Sequence, residues 1–167
     1  NDNFLKLYKK YSPGPISYIL KLKKKSLISK NVTSKKNTLA VRFPSHRLTR
    51  NLLKQLNYPL AAPSANISTK ISPVSKKDVK DEFGKKVKLI LDGGQSKIGV
   101  ESTIINLIKK PQILRLGGIP KEDIKKYLNS HLAYIKKSKI NSPGQETTHY
   151  SPYIRLRLNI KKPNRNE

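Results

Sequence analysis

Apolar positions along this chain recur with two different periods, and the two alternate. From Asn3 to Tyr11 they fall at Phe4, Leu5, Leu7, Tyr8 and Tyr11, the spacing of one helix face. Ser12-Pro13-Gly14-Pro15 ends that run, and Ile16–Lys23 then alternates like a strand. Thr38–Phe43 (TLAVRF) is a second β-type run, closed by Pro44. Ser45–Leu56 predicts a helix with Leu48, Leu52, Leu53 and Leu56 on one face and Ser45 or Thr49 as its cap. Leu60–Ala62 predicts a small-residue strand. Ser75–Phe83 predicts a capped helix reached through Ser72-Pro73, and Val87–Leu91 an apolar strand running into Asp92-Gly93-Gly94. Ser102–Ile108 and Gln112–Leu116 predict two more strands, and Ile119–Leu128 a helix introduced by Pro120. Residues 136–152 are polar, contain Pro and Gly, and read as a linker. Strands alternating with helices at short spacing predict an α/β (α+β) fold with a mixed sheet flanked by helices.

Two polar clusters stand out against this pattern. Ala61–Ser72 (AAPSANISTKIS) and Gly99-Val100-Glu101-Ser102-Thr103 are dense in short hydroxyl and amide side chains, whereas most of the other polar residues are lysine. Such residues beside Gly and Pro let the backbone approach a ligand and surround anionic oxygens with neutral donors. They are also ordinary turn residues. Their position directly beside β-type runs favours a phosphate-binding pocket over solvent-exposed turns.

Composition narrows the class. A chain of 167 residues is about one domain, long enough for a core. It has no Cys, which excludes disulfides and thiolate metal sites, and His46, His131 and His149 lack ligand spacing. No apolar run approaches a membrane span, and no signal-peptide pattern is present, so a cytoplasmic protein is expected. The chain contains no Met, opens within a helical pattern and stops at an incipient strand (Arg155–Ile160), which reads as an internal piece of a longer protein. The net charge of +26 invites a nucleic-acid reading. However, only seven of the 36 basic residues are Arg and the lysines are spread along the chain, so the charge alone is a weak argument.

The ordered set PGPIS (Pro13–Ser17), TLAVRFPSH (Thr38–His46), APSANIS…SP (Ala62–Pro73), LDGG (Leu91–Gly94), GVESTII (Gly99–Ile105) and ILRLGGI (Ile113–Ile119) resembles the YrdC-like family of threonylcarbamoyl-AMP synthases. The resemblance implies a YrdC/RibB-like twisted mixed sheet over residues 1–135. Ser142–Pro152 (SPGQETTHYSP) is similar to the linker of the two-domain members, so 136–152 is expected to be an interdomain linker and 153–167 the start of a second domain.

The activity so implied converts L-threonine, bicarbonate and ATP into threonylcarbamoyl-AMP and pyrophosphate, with Mg²⁺ accompanying ATP. The product passes to a tRNA threonylcarbamoyl transferase. The resemblance places ATP at Thr38, Ser64, Ser72, Arg115 and His149, and L-threonine at Arg42, Ala62 and Ser102, with no catalytic side chain and no protein-held metal. Asn66 would brace its turn. Ser72 would cap the following helix, bind phosphate, or do both, and Glu101 would orient its loop. The family's K-x-R phosphate-gripping motif is absent from the sequence, so the chain alone is expected to be inactive or nearly so. Ser17 stands where the family often has Thr, and Leu116 where it usually has Pro. An alternative from another class is a YrdC-like module that binds double-stranded RNA or tRNA without catalysis. A third, a domain of a carbamoyltransferase maturation factor, is disfavoured by the absence of Cys.

Overall fold

The computed structural model describes residues 1–67, 70–128, 131–134, 159, 160 and 162. Residues 136–152, expected to form a linker and including His149, and nearly all of 153–167 lie outside the described residues.

Helix α1 (Asp2–Tyr11) opens on Asn1, whose side chain accepts from Phe4 N, and carries Asp2 in its first turn and Lys9 and Lys10 in its last. Each charge complements the helix dipole. Strand β1 (Ile16–Lys21) follows and returns as β2 (Thr38–Arg42). Helix α2 (Arg47–Lys54) starts at His46 with no side-chain cap, rather than at Ser45 or Thr49. Helix α3 (Lys76–Phe83) is followed by a 3₁₀ turn over Gly84–Lys86. Then come β3 (Thr103–Asn106), β4 (Gln112–Arg115), α4 (Lys121–Lys126) and the two-residue β5 (Ala133–Tyr134).

The five strands form one mixed sheet in the order β2-β1-β3-β4-β5. β1 runs antiparallel to β2 and parallel to β3, β3 antiparallel to β4, and β4 parallel to β5. One face carries the core. Leu7 of α1 and Ile124 of α4 join Ile16, Tyr18, Ile105 and Ile113, all fully buried. Tyr18 satisfies its hydroxyl with Ser12 Oγ at 2.9 Å and Leu7 O at 3.1 Å, and burial pushes its pKa up. Edge-on aromatic pairs Phe4–Tyr18, Tyr8–Phe43 and Tyr11–Tyr127 fasten α1 to β1, to the end of β2 and to α4.

Two predicted strands are not formed. Leu60–Ala62 is flanked by Pro59 and Pro63, which have no N–H to give a ladder, and Leu60 is 47% exposed. Val87–Leu91 has the right pattern but no neighbouring strand among the described residues, and Leu89 is 76% exposed. β5 was not anticipated, because two residues carry no period to read. Between Pro44 and Val100 no described residue is buried, so this long excursion lies outside the core.

Local chemistry holds the excursion in shape. Ser75 caps α3 in a reciprocal capping box: its hydroxyl accepts from Asp78 N at 3.2 Å, while the Asp78 carboxylate accepts from Ser75 N at 2.9 Å and Val74 N at 3.0 Å. These donors hold the Asp78 pKa below the usual carboxylate range, so the charged form favours the folded state. That contribution is present above the ordinary aspartate pKa and is lost as pH falls through the depressed one. Ser75→Ala is expected to cost about 1 kcal/mol, read as a lower urea midpoint at pH 7 with an unchanged m-value.

Candidate substrate-binding site

The sheet face opposite the core carries a row of residues in register. Arg42 of β2 lies opposite Ser17 of β1, Ser17 opposite Ile104 of β3, and Ile104 opposite Arg115 of β4. Residues paired across neighbouring strands point to the same side of a sheet. Two long cations therefore start from either end of one row, with a hydroxyl between them.

Around this row the structure builds a polar network. The Ser17 and Ser102 hydroxyls are 2.8 Å apart, and Ser102 is only 4% exposed. Arg115 donates from Nε and Nη2 to Ser102 O at 3.1 and 3.0 Å, and from Nη2 to Ser102 Oγ at 3.1 Å. Its Nη1 pairs with Glu101 Oε2. The other Glu101 oxygen, Oε1, accepts from Ser72 Oγ at 2.9 Å. Glu101 thus joins the hydroxyl-rich excursion to the sheet.

Arg42 behaves differently. Its Nε donates to Gly14 O at 3.3 Å, and the residue is otherwise exposed. Burial of part of its guanidinium lowers its pKa, and the nearby Arg115 charge lowers it further, against an opposing effect of Glu101. The two cations thus start from either end of one row, and the Glu101 carboxylate joins the sheet to the outer loop. Such a site suits an anionic ligand with hydrogen-bond acceptors of its own.

Backbone packing fixes this geometry. Thr103 is fully buried, and its Oγ1 donates to Ile119 O at 2.7 Å and accepts from Ile119 N at 3.0 Å. Thr103 N bonds Pro15 O and Gly118 N bonds Glu101 O. Gly117 is packed directly against the Glu101–Thr103 backbone. In the outer loop, Asn66 braces its turn, donating from Nδ2 to Ile67 O and Lys70 O, and Glu82 accepts from Ile67 N and pairs with Lys70. His46 Nε2 lies 3.0 Å from Gly93 O, so the FPSH and LDGG segments meet.

Of the residues singled out in the sequence, Arg42, Ser72, Ser102 and Arg115 are brought together, with Glu101. Ser72 does not cap α3; Ser75 does, and the Ser72 hydroxyl turns to Glu101 instead. Thr38 pairs with Lys21 at the far end of β2, about 13 Å along the strand from Arg42. Ala62 and Ser64 lie in the exposed outer loop, and His149 lies outside the described residues. Sequence reasoning undervalued Ser17 and missed the Gly14 carbonyl. The signal for Ser17 was its place at the start of β1, directly after PGPI. Among the described residues no group of three or more His, Asp or Glu side chains is placed to hold a metal ion. No helix among them is long and apolar enough to cross a membrane.

The fold is thus a mixed α/β sheet that carries two arginines and a pair of hydroxyls on the face opposite the core. Its family is clear from comparison: the Sua5/yciO/yrdC family, described as telomere recombination, matches residues 1–117, and the chain belongs to that family. It is 40% identical over 152 residues to the threonylcarbamoyl-AMP synthase of Pyrococcus abyssi, covering 87% of this chain and 44% of the relative. With the threonylcarbamoyl-AMP synthase of Bacillus subtilis it shares 37% identity over 165 residues, covering 95% and 47%. The crystal structure of P. abyssi Sua5 complexed with L-threonine superposes with a TM-score of 0.83 at 37% identity, covering 91% of this chain and 46% of that one. Escherichia coli YciO superposes with a TM-score of 0.62 at 26% identity, covering 75% and 59%. The chain thus spans about half the length of the synthases it matches.

Proposed function

We propose that this protein acts as a threonylcarbamoyl-AMP synthase, a nucleotidyltransferase of tRNA modification that uses L-threonine, bicarbonate and ATP. The observation that carries this reading is the row in which Arg42 and Arg115 flank Ser17, with Arg115 donating to Ser102 of the Ser17–Ser102 hydroxyl pair, in a chain similar to P. abyssi Sua5 solved with L-threonine.

In this reading Arg42 takes the threonine carboxylate, with Ala62 and Ser102 lining the amino-acid side. ATP lies along Ser64, Ser72 and Arg115, with Thr38 and His149 as further nucleotide contacts. Threonine and bicarbonate condense with loss of water to an N-carboxy-threonine. One carbamate oxygen attacks the α-phosphorus, the bond from that phosphorus to the bridging oxygen breaks, and pyrophosphate leaves. The nucleophile is already an anion, so no strong general base is required. Positioning and charge neutralisation carry the rate, which suits a site of arginines and hydroxyls. Mg²⁺ arrives with the triphosphate, as is usual for an ion that keeps several waters. The product then goes to a tRNA threonylcarbamoyl transferase, in a cytoplasmic setting. The residues 136–152 serve as the linker between this domain and a second one beginning near 153.

Calorimetry tests the reading without requiring turnover. L-Threonine is expected to bind and L-threoninol, which lacks the carboxylate, is not; equal binding of the two would sink the assignment. A second reading, RNA contact, is favoured by one feature. The β1–β2 connection over residues 22–37 holds six lysines and no acid. Salt-dependent tRNA binding unaffected by Arg42→Ala would place RNA there rather than at the amino-acid site.

A further inference from the structure

Glu101 sits between the two walls of the site, and its neighbours' proton inventory gives it a definite task. We propose that Glu101 is a positioning residue that holds Arg115 against Ser102, so that the Ser17–Ser102 pair offers one O–H donor to the amino acid while the amino-acid carboxylate is left to Arg42. This role rests on the threonine-and-ATP reading of the same site.

Arginine has donors only, so the contact from Arg115 Nη2 makes Ser102 Oγ an acceptor. Ser17 and Ser102 share one further hydrogen bond, in either direction. If Ser102 donates, the Ser17 proton is free; if Ser17 donates, the Ser102 proton is free. In both arrangements the pair holds a single uncommitted hydroxyl proton, and the Arg115 contact takes one lone pair of Ser102 Oγ and holds that oxygen in place. Nε and Nη2 of Arg115 are taken up with Ser102, and Nη1 is paired with Glu101. The Glu101 side chain is 19% exposed and that of Arg115 14%, so their pairing is sheltered from solvent. Neutralising Glu101 leaves Arg115 as a second uncompensated cation beside Arg42. It also replaces the charge-assisted acceptor that holds the guanidinium on Ser102 with a weaker neutral one. The two consequences have opposite signs for two ligand classes: a neutral-zwitterionic amino acid loses its oriented hydroxyl, while a polyphosphate gains a free guanidinium.

Glu101→Gln keeps the side chain's size and tests this directly. Calorimetry on the protein with L-threonine and with pyrophosphate is expected to show threonine affinity falling about tenfold or more and pyrophosphate affinity rising about threefold or more. A residue that only stabilised the fold would weaken both. Unchanged threonine affinity, or parallel loss of both ligands, overturns the role of Glu101 while the assigned function stands. Absence of threonine binding by the parent protein overturns the assigned function and this role with it. If Glu101→Gln does not fold, the double variant Glu101→Gln/Arg115→Gln removes both charges together. It is expected to lose threonine affinity to a similar degree with no gain for pyrophosphate; parental threonine affinity in that variant also overturns the proposal.

Discussion

Replacing Arg42 by alanine is expected to weaken L-threonine binding about 100-fold or more, close to 3 kcal/mol, while moving the melting temperature by no more than about 2 °C. The two halves of that expectation come from one geometry. Arg42 is exposed as a residue, and its side chain makes one long hydrogen bond, from Nε to Gly14 O, so the fold gains little from the guanidinium. That same bond uses Nε and not the two terminal nitrogens, whose parallel N–H donors fit a carboxylate. Arg42→Lys keeps the charge and loses the fork, and is expected to fall between parent and alanine, about tenfold weaker than the parent. Calorimetric titration beside a thermal melt checks both halves. A large drop in melting temperature would mean that Arg42 is a structural residue and that its place at the end of the row is incidental.

Gly117→Ala is expected to lower stability by about 2–3 kcal/mol and to weaken threonine binding at least about tenfold. A Cβ at this position would lie 2.5 Å from both the Ser102 carbonyl carbon and Thr103 N, and it would also press on the Glu101 carbonyl oxygen. All three are backbone atoms, so no rotamer change relieves the contact. β4 must separate from the start of β3, which draws Arg115 off Ser102 and opens the row. Gly118 offers a contrast, since a Cβ there meets side-chain atoms of Pro15, the nearest at 2.9 Å, and of Ile98 at 3.3 Å. Those groups have more room to shift, so Gly118→Ala is expected to be milder in both readouts. Urea unfolding and threonine titration of the two variants side by side provide the measurement. Equal, small effects at both positions would show that the β3–β4 junction is softer than its packing indicates.

The parts of the fold legible in the sequence were those whose residues satisfy themselves locally. α1 could be read from its apolar spacing, β1 from alternation, β2 from a short β-type run closed by Pro44, and α3 from its capped helical pattern after Ser75, because each pattern is complete within one segment. Leu60–Ala62 and Val87–Leu91 misled for the complementary reason. An apolar run states that a segment wants cover, but not that a partner strand lies beside it. The site divided along similar lines. Arg42, Ser72, Ser102 and Arg115 were found through their motifs, whereas the grip of Glu101 on both Ser72 and Arg115 spans residues 72, 101 and 115 and could be seen only once the chain had folded. Thr38 and Arg42 do share a face, as their spacing predicts, yet strand rise sets them too far apart to grip the same group.

The long excursion from Pro44 to Val100 has a consequence for how the pocket works. Three residues of the proposed site, Ala62, Ser64 and Ser72, belong to it, yet none of its described side chains is buried. The sheet half, by contrast, is anchored in the fully buried cluster around Tyr18 and Ile105. The two walls therefore belong to layers of unequal local stability, and the outer layer can open while the sheet and its arginines stay in place. A ligand that bridges them stabilises the closed arrangement in proportion to its occupancy. Substrate capture and ordering of the outer layer are in this sense one equilibrium, with the Ser72–Glu101 hydrogen bond at its latch.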